Sequence, residues 1–383
     1  MISTRPKDCL FSAAAVAASL TLILLTAEIA IRLFVPADRW KFRDATQDWM
    51  LDKRLGWIQK PGLDVTSTTE FGWTVRFQTN EDGLTPPTAR REKKAGILRI
   101  MFFGDSTVVG RSVPQDQTVN AQLESLLREK GIPAEVFNAG VQGYSTDQVL
   151  LRMEELPPLY KPDVVIYGAC DNDFGGNVSR VAYGQAKPVF RLKANGDLEE
   201  IPPTLNPRVN SFGSGLGKWL QHSALYRFFQ PQLIILRARM GRWEERNLLG
   251  IAPEIYYKPE SLDQIDWHIF SALVRKMKEV AEENHARFLF YSHPAIAEVW
   301  DPYIRDTERR LRLKPGEYDR HALERRLEEV AKQTETKFIP LIDGFVARQS
   351  EGPFHLLPRD PHANPRGNKL TAQALGKSIL QKL

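Results

Sequence analysis

Residues 97–103 read Ile-Leu-Arg-Ile-Met-Phe-Phe and stop at Gly104. A short, nearly continuous apolar run has no face to give to water. It fits a strand buried on both sides, as in a parallel sheet covered by helices. The chain then keeps a matching rhythm. Residues 116–130 put Val119, Leu123, Leu126 and Leu127 on one helical face, and Gly131 stops them. Strand-like 134–137 follows, then a helix over about 146–157 carrying Val149, Leu150, Met153 and Leu156 at helical spacing. Residues 163–167 are again strand-like. A helix with Trp267, Phe270, Leu273, Val274 and Met277 leads to strand-like 287–291, and one with Leu323, Leu327, Val330 and Ala331 leads to 338–342. The last helix opens at Asn364-Pro365, a cap residue followed by proline at the first helical position, with Leu370, Leu375, Ile379 and Leu380 inward.

Five strands alternating with helices predict an α/β fold: a doubly wound, flavodoxin-like parallel sheet of about five strands with helices on both faces. Pro340 inside the fifth strand predicts an edge position. The sequence divides into residues 1–35, a lead-in 36–95 of irregular or β-like character, and a domain over 96–383. Alternation through Trp73, Val75 and Phe77 marks the lead-in, and its charged end, 88–95, reads as a linker. About residues 174–262 break the rhythm and read as an insertion over the carboxyl edge of the sheet, where ligands bind in such folds. Its run 233–239 reads as a packed helix, with a membrane-surface helix as the alternative.

Between Asp8 and Glu28 lie nineteen uncharged residues. That is long enough to cross a bilayer core as a helix, longer than the apolar part of a signal peptide, and no small-x-small site closes it. An uncleaved N-terminal transmembrane helix is expected, with a cleaved signal as the alternative and a buried helix of the soluble domain as the plainer reading. Arg5 and Lys7 precede it, and Arg32, Arg39, Lys41 and Arg43 follow. A plain count of positive residues would keep the domain inside; a short basic start before an apolar run is what export machinery reads, and export is the reading adopted. The chain carries 52 Lys+Arg against 47 Asp+Glu and two cysteines. This small, scattered excess points to no nucleic-acid partner, and the cysteine count excludes a disulfide scaffold. No His-Glu-x-x-His spacing occurs, so no metal or other cofactor is expected.

Four short blocks at strand ends carry the chemistry. Gly104-Asp105-Ser106-Thr107 follows the first strand, placing a hydroxyl on a turn into a helix, where a Ser or Thr helix cap is the plainer reading. Asn138-Ala139-Gly140-Val141-Gln142-Gly143-Tyr144-Ser145-Thr146 follows the second, with two glycines that let backbone approach a ligand, or a loop capped at Ser145 or Thr146. Gly168-Ala169-Cys170-Asp171-Asn172-Asp173 follows the third, with an asparagine amide able to donate to an oxyanion, or a polar loop bonding its own backbone. Asp360-Pro361-His362 precedes the last helix and offers an imidazole with a carboxylate two residues earlier. Each block alone is ordinary. Together they hold a nucleophile, a base, an orienting acid and oxyanion donors in one chain. Cys170, alone at a strand end, reads as buried rather than nucleophilic.

In this order the blocks resemble the SGNH (GDSL-type) hydrolase family over about residues 96–383, apart from the insertion. The resemblance implies Ser106 as nucleophile, His362 as base and Asp360 as orienting acid. It implies an oxyanion hole from the backbone N–H of Ser106 and Gly143 and the side chain of Asn172. The spacing departs from the family's usual one: Asp360 stands two positions before His362 rather than three, and Arg359 occupies the third. The apolar start and residues 71–84 also look like a membrane-anchored bacterial subgroup. The expected function is a serine esterase acting on a small ester or acylated carbohydrate, including O-acetyl groups on exported carbohydrate, from the outer face of the bacterial inner membrane. The alternatives are an O-acyltransferase using the same residues and a non-catalytic anchored binding protein.

Overall fold

A computed structural model describes residues 6–35, 48–68, 73–183, 185–204, 220, 222–229, 262–263, 265–314, 317–357 and 360–381. The chain opens with helix α1 (Pro6–Phe34), of which Ala14–Phe34 has a mean hydropathy of 2.1 and is almost wholly uncovered by the rest of the chain. Near its end, Glu28 accepts hydrogen bonds from Ser223 Oγ and from the backbone N–H of Ala224 and Leu225, and Ile31 packs on Ala224.

The lead-in forms two antiparallel hairpins: β1 (Trp49–Asp52) with β2 (Gly56–Gln59), and β3 (Asp64–Thr68) with β4 (Thr74–Gln78). In β4 the expected alternation is literal: Val75 and Phe77 are buried while Thr74 and Arg76 face solvent. Trp57, Leu55 and Leu84 sit in the same apolar cluster as the central strands.

The expected α/β fold is present. The core strands are β5 (Leu98–Gly104), β6 (Ala134–Asn138) and β7 (Val164–Ala169). After β7 come two small antiparallel pairs, β8 (Val181–Ala182) with β9 (Gln185–Ala186) and β10 (Val189–Leu192) with β11 (Leu198–Ile201). The sheet resumes with β12 (Arg287–Ser292) and β13 (Lys337–Ile339), and a last pair, β14 (His355–Leu357) and β15 (Asp360–Ala363), precedes the final helix. The five-stranded sheet is parallel throughout and runs β13-β12-β7-β5-β6. Counting only its own strands, that is the 2-1-3-4-5 order of the flavodoxin type.

Alternation splits the core into two layers. Met101, Phe103, Val165, Tyr167 and Phe290 point to one face, where α4 (Thr146–Glu155), α7 (Trp267–Glu283) and α10 (Ala322–Thr334) cover them. Ile100, Phe102, Val164, Ile166 and Leu289 point to the other, under α3 (Val119–Glu129) and α12 (Pro365–Leu380).

Two expectations need correction. The fifth strand does lie at an edge, but it ends at Ile339, before Pro340. Proline has no N–H for the ladder, and the next two amides, of Leu341 and Ile342, donate to Glu324 at 2.8 and 3.2 Å and start α11 (Ile342–Val346). The charged stretch 88–95 is also no slack linker. Arg91 pairs with Asp82, Lys93 with Asp163, and the carbonyls of Arg91 and Glu92 accept from Arg99, a guanidinium with no exposed surface that also pairs with Glu135. The run 233–239 lies outside the described residues.

Candidate active site

The strand order reverses between β5 and β7, and ligands gather at the carboxyl ends of strands at such a switch point. Gly104, the last residue of β5, pairs with Gly168, one residue before the end of β7. A Cβ on Gly104 would stand 2.6 Å from the Gly168 carbonyl oxygen, so glycine is what lets the two turns meet.

Directly after Gly104, Asp105 caps the short helix α2 (Ser106–Val109) and Ser106 is its first residue. The cap is thus an aspartate, not the serine or threonine considered from sequence. Its carboxylate is almost fully buried. One oxygen accepts from Thr107 N and Thr107 Oγ1 at 2.9 and 2.8 Å. The other accepts from Ser106 Oγ at 3.3 Å and from Asn172 Nδ2 at 3.0 Å. A buried carboxylate demands such donors, and satisfying it draws two of the sequence-chosen residues, Ser106 and Asn172, onto one oxygen. The sequence reading quoted Asp105 but gave it no role. Its signal was an acid between a strand-ending glycine and a serine.

Asn172 sits in α6 (Asp171–Gly176) after β7. An amide carries two N–H donors. One is held by Asp105, which orients the other, while Asn172 Oδ1 is buried and accepts no hydrogen bond among the described residues. An orphaned buried acceptor costs about 1–3 kcal/mol, a strain of the kind found at functional sites.

The second block is held from both sides. Asn138 Nδ2 donates to Val108 O at 2.6 Å, Gly140 N to Asn138 Oδ1 at 2.9 Å, and Val141 N to Gly104 O at 3.0 Å, so the loop is tied to the serine turn. From the lead-in, Trp57 Nε1 donates to Gln142 O and Tyr144 Oη to Trp57 O. Between these ties Gly143 takes φ +79°, a left-handed conformation that favours glycine. The plainer reading of this block also holds at its end, where Ser145 caps α4 with a capping box to Gln148.

His362 is half-buried in β15, and β15 lies against α2, so the histidine and Ser106 belong to two touching elements. Asp360 opens the same strand; its side chain lies outside the described residues. Among the described residues no cluster of three or more His, Cys, Asp or Glu is placed to hold a metal ion.

Cys170 is buried, and that burial, with Asp105 next in effect, pushes its thiol well up from the ordinary value. A neutral, covered thiol is a poor nucleophile. Iodoacetamide at neutral pH is expected to leave Cys170 unmodified in the native protein and to alkylate it after denaturation, as read by peptide mass; labelling of the native protein at the denatured rate would contradict this.

Beneath Asn172, Tyr167 Oη and Cys170 N donate to Asp173 Oδ2, both at 2.8 Å. Lys187, from just beyond β9, reaches under the end of α6 and donates to Gly176 O at 2.9 Å and to Asp147 in the first turn of α4. Neither side chain of that ion pair has exposed surface. Removing one partner of such a pair costs about 3–5 kcal/mol. Lys187→Met is therefore expected to lower the free energy of unfolding in urea by that amount. Recovery of part of the loss in Lys187→Met/Asp147→Asn would show that the stranded carboxylate is the cause, and an unchanged midpoint in the single variant would refute it.

With the geometry in place, comparison with known proteins decides the family. A model of the GDSL-like lipase/acylhydrolase family matches residues 102–370. The chain belongs to that family. It is an ester-bond hydrolase family of the serine type, and the match spans all four blocks. Among solved structures, the acetyl xylan esterase AlAXEase is similar over 73% of this chain and 99% of its own at 16% identity, TM-score 0.39. A catalytic mutant of the acetylxylan esterase Axe2 from Geobacillus stearothermophilus is similar over 73% and 93% at 14% identity, TM-score 0.39. The lipase/acylhydrolase from Enterococcus faecalis is similar over 74% and 96% at 13% identity, TM-score 0.38. No curated protein matches the chain.

Proposed function

We propose that this GDSL-family hydrolase is a membrane-anchored serine esterase that removes short acyl groups, O-acetyl above all, from exported carbohydrate. Ser106 is the nucleophile, His362 the general base and Asp360 the acid that orients it. The backbone N–H groups of Ser106 and Gly143 and the free N–H of Asn172 hold the oxyanion. The observation that carries this reading is the sharing of Asp105 Oδ2 by Ser106 Oγ and Asn172 Nδ2 at the switch point of the sheet. A nucleophile and an oxyanion donor converge there on one small space, as acyl transfer needs.

In the reaction, the Ser106 hydroxyl leaves Asp105 and passes its proton to His362 as its oxygen attacks the ester carbonyl. The tetrahedral oxyanion sits among the three donors. Its collapse breaks the ester C–O bond, and His362 gives the proton to the departing alcohol. Water, deprotonated by His362, then attacks the acyl-serine; collapse returns the proton to Ser106 and frees the carboxylic acid.

The apolar stretch Ala14–Phe34 supports retention at a membrane, and the short basic start before it, Arg5 and Lys7, is what favours the outer side for the hydrolase domain. The test is product analysis with the full chain and a monoacetylated sugar in water. Stoichiometric release of acetate and free sugar is expected. Movement of labelled acetyl to an added sugar acceptor in place of release would instead make the protein an acyltransferase. Asn172→Ala is expected to lower kcat by roughly 10²–10³ with KM little changed, the usual cost of one oxyanion donor; an unchanged kcat would remove Asn172 from the oxyanion hole.

A further inference from the structure

Tyr183 stands where β8 turns into β9, directly after Ala182, which pairs with Gln185. Such turns need positive φ and select Asn, Asp or Gly at their first position. Here a tyrosine takes φ +51°. A bulky residue in the left-handed region is a local rule broken, and such breaks concentrate where a side chain has work at a site.

The ring shows what that work is. It lies on Gly143, so closely that a Cβ there would fall 2.4 Å from Tyr183 Cε2. It makes an edge-to-face pair with Trp49 at 5.8 Å and 78°, and Trp49 is stacked on Trp57 at 5.2 Å. Yet Tyr183 keeps 44% of its surface exposed, and its hydroxyl makes no hydrogen bond to any described residue. Desolvation by the groups packed around it, with Asp105, Cys170 and Asp171 adding to it, pushes the phenol up to about 12. The group is therefore a proton donor throughout the working range of an esterase.

We propose that Tyr183 is the residue that recognises the alcohol half of the substrate, and that this half is a neutral sugar ring. The inference rests on the esterase reading of Ser106 and extends it to substrate choice. A half-exposed aromatic ring beside the Gly143 turn offers stacking to the C–H face of a sugar. The unpartnered O–H offers a hydrogen bond to a sugar oxygen. The carboxylates of Asp105 and Asp171 close by disfavour an anionic alcohol and suit one rich in hydroxyl donors. Both the lead-in, through Trp49, and the insertion, through its first hairpin, thus serve one specificity surface.

The experiment compares Tyr183→Ala and Tyr183→Phe with the unmodified full chain on two acetate esters, a monoacetylated methyl xyloside and ethyl acetate, which has no ring. Tyr183→Ala is expected to lower kcat/KM for the sugar ester relative to that for ethyl acetate by roughly tenfold or more, chiefly through KM. Tyr183→Phe keeps the ring and loses only the hydroxyl's share. Equal falls on both esters would mean that the ring only props Gly143, and no fall on the sugar ester would mean that it does not touch substrate; either overturns the proposal. Recognition is also read without turnover, by NMR titration of the same sugar acetate into the Ser106→Ala protein. Binding that weakens when Tyr183→Ala is added supports the proposal, and absence of binding before that change overturns it. Failure of the unmodified enzyme to hydrolyse either ester would instead count against the esterase reading.

Discussion

Ser106→Ala is expected to lower ester hydrolysis by about 10⁴-fold or more, the scale seen when a triad nucleophile is removed. The fold should be untouched, because among the described residues the hydroxyl contributes one hydrogen bond, to Asp105 at 3.3 Å, while Thr107 and Asn172 continue to satisfy that carboxylate. The loss of stability is then no more than about 1 kcal/mol. The measurement pairs initial rates on ethyl acetate with thermal unfolding of the same preparation. Near-wild-type turnover in a folded variant would place the nucleophile elsewhere. Cys170 does not substitute for it, since its thiol is buried and its ionisation suppressed.

His362→Ala is expected to reduce kcat by a similar factor, and here the control is chemical. A histidine that takes and returns a proton leaves a gap that added imidazole fills; one that only packs β15 against α2 does not. Rates of His362→Ala should therefore rise with imidazole concentration, while those of Ser106→Ala stay flat. A loss of activity in His362→Ala that imidazole does not relieve, together with an earlier unfolding transition, would reduce the residue to a packing role.

Much of the fold was legible because its strands are covered on both faces. Residues 97–103 carry almost nothing that water could solvate, and the helical repeats at 146–157 and 267–277 have one apolar side each, so local pattern and global burial agree. Where local pattern is silent the sequence was too. Arg99 looks like an interruption of an apolar run; only the carbonyls of Arg91, Glu92 and Tyr160 and the carboxylate of Glu135, brought in from other parts of the chain, make it a fully buried clasp. Residues 88–95 read as a linker for the same reason, since their partners Asp82, Asp163 and Arg99 are not adjacent in sequence.

The site was legible as residue types at strand ends, because a parallel sheet brings all its carboxyl ends to one edge. Its wiring was not. That Asp105 is the common acceptor for Ser106 and Asn172 depends on Gly104 and Gly168 pairing near the ends of neighbouring strands, a fact of strand order rather than of spacing. Tyr183 went unnoticed because nothing in its own stretch marks it except a turn position where asparagine or glycine is the usual occupant. Its meaning comes from Gly143, forty residues earlier, and from Trp49 in the lead-in.

Labelling with a fluorophosphonate, mapped by peptide mass spectrometry on the native full chain, asks most directly whether the hydroxyl after β5 and the imidazole in β15 work together. The adduct should fall on Ser106 and should be lost in His362→Ala, because the hydroxyl reacts only when a neighbouring base takes its proton. An adduct on another residue, or equal labelling of Ser106 without His362, would break the link on which the hydrolytic mechanism stands.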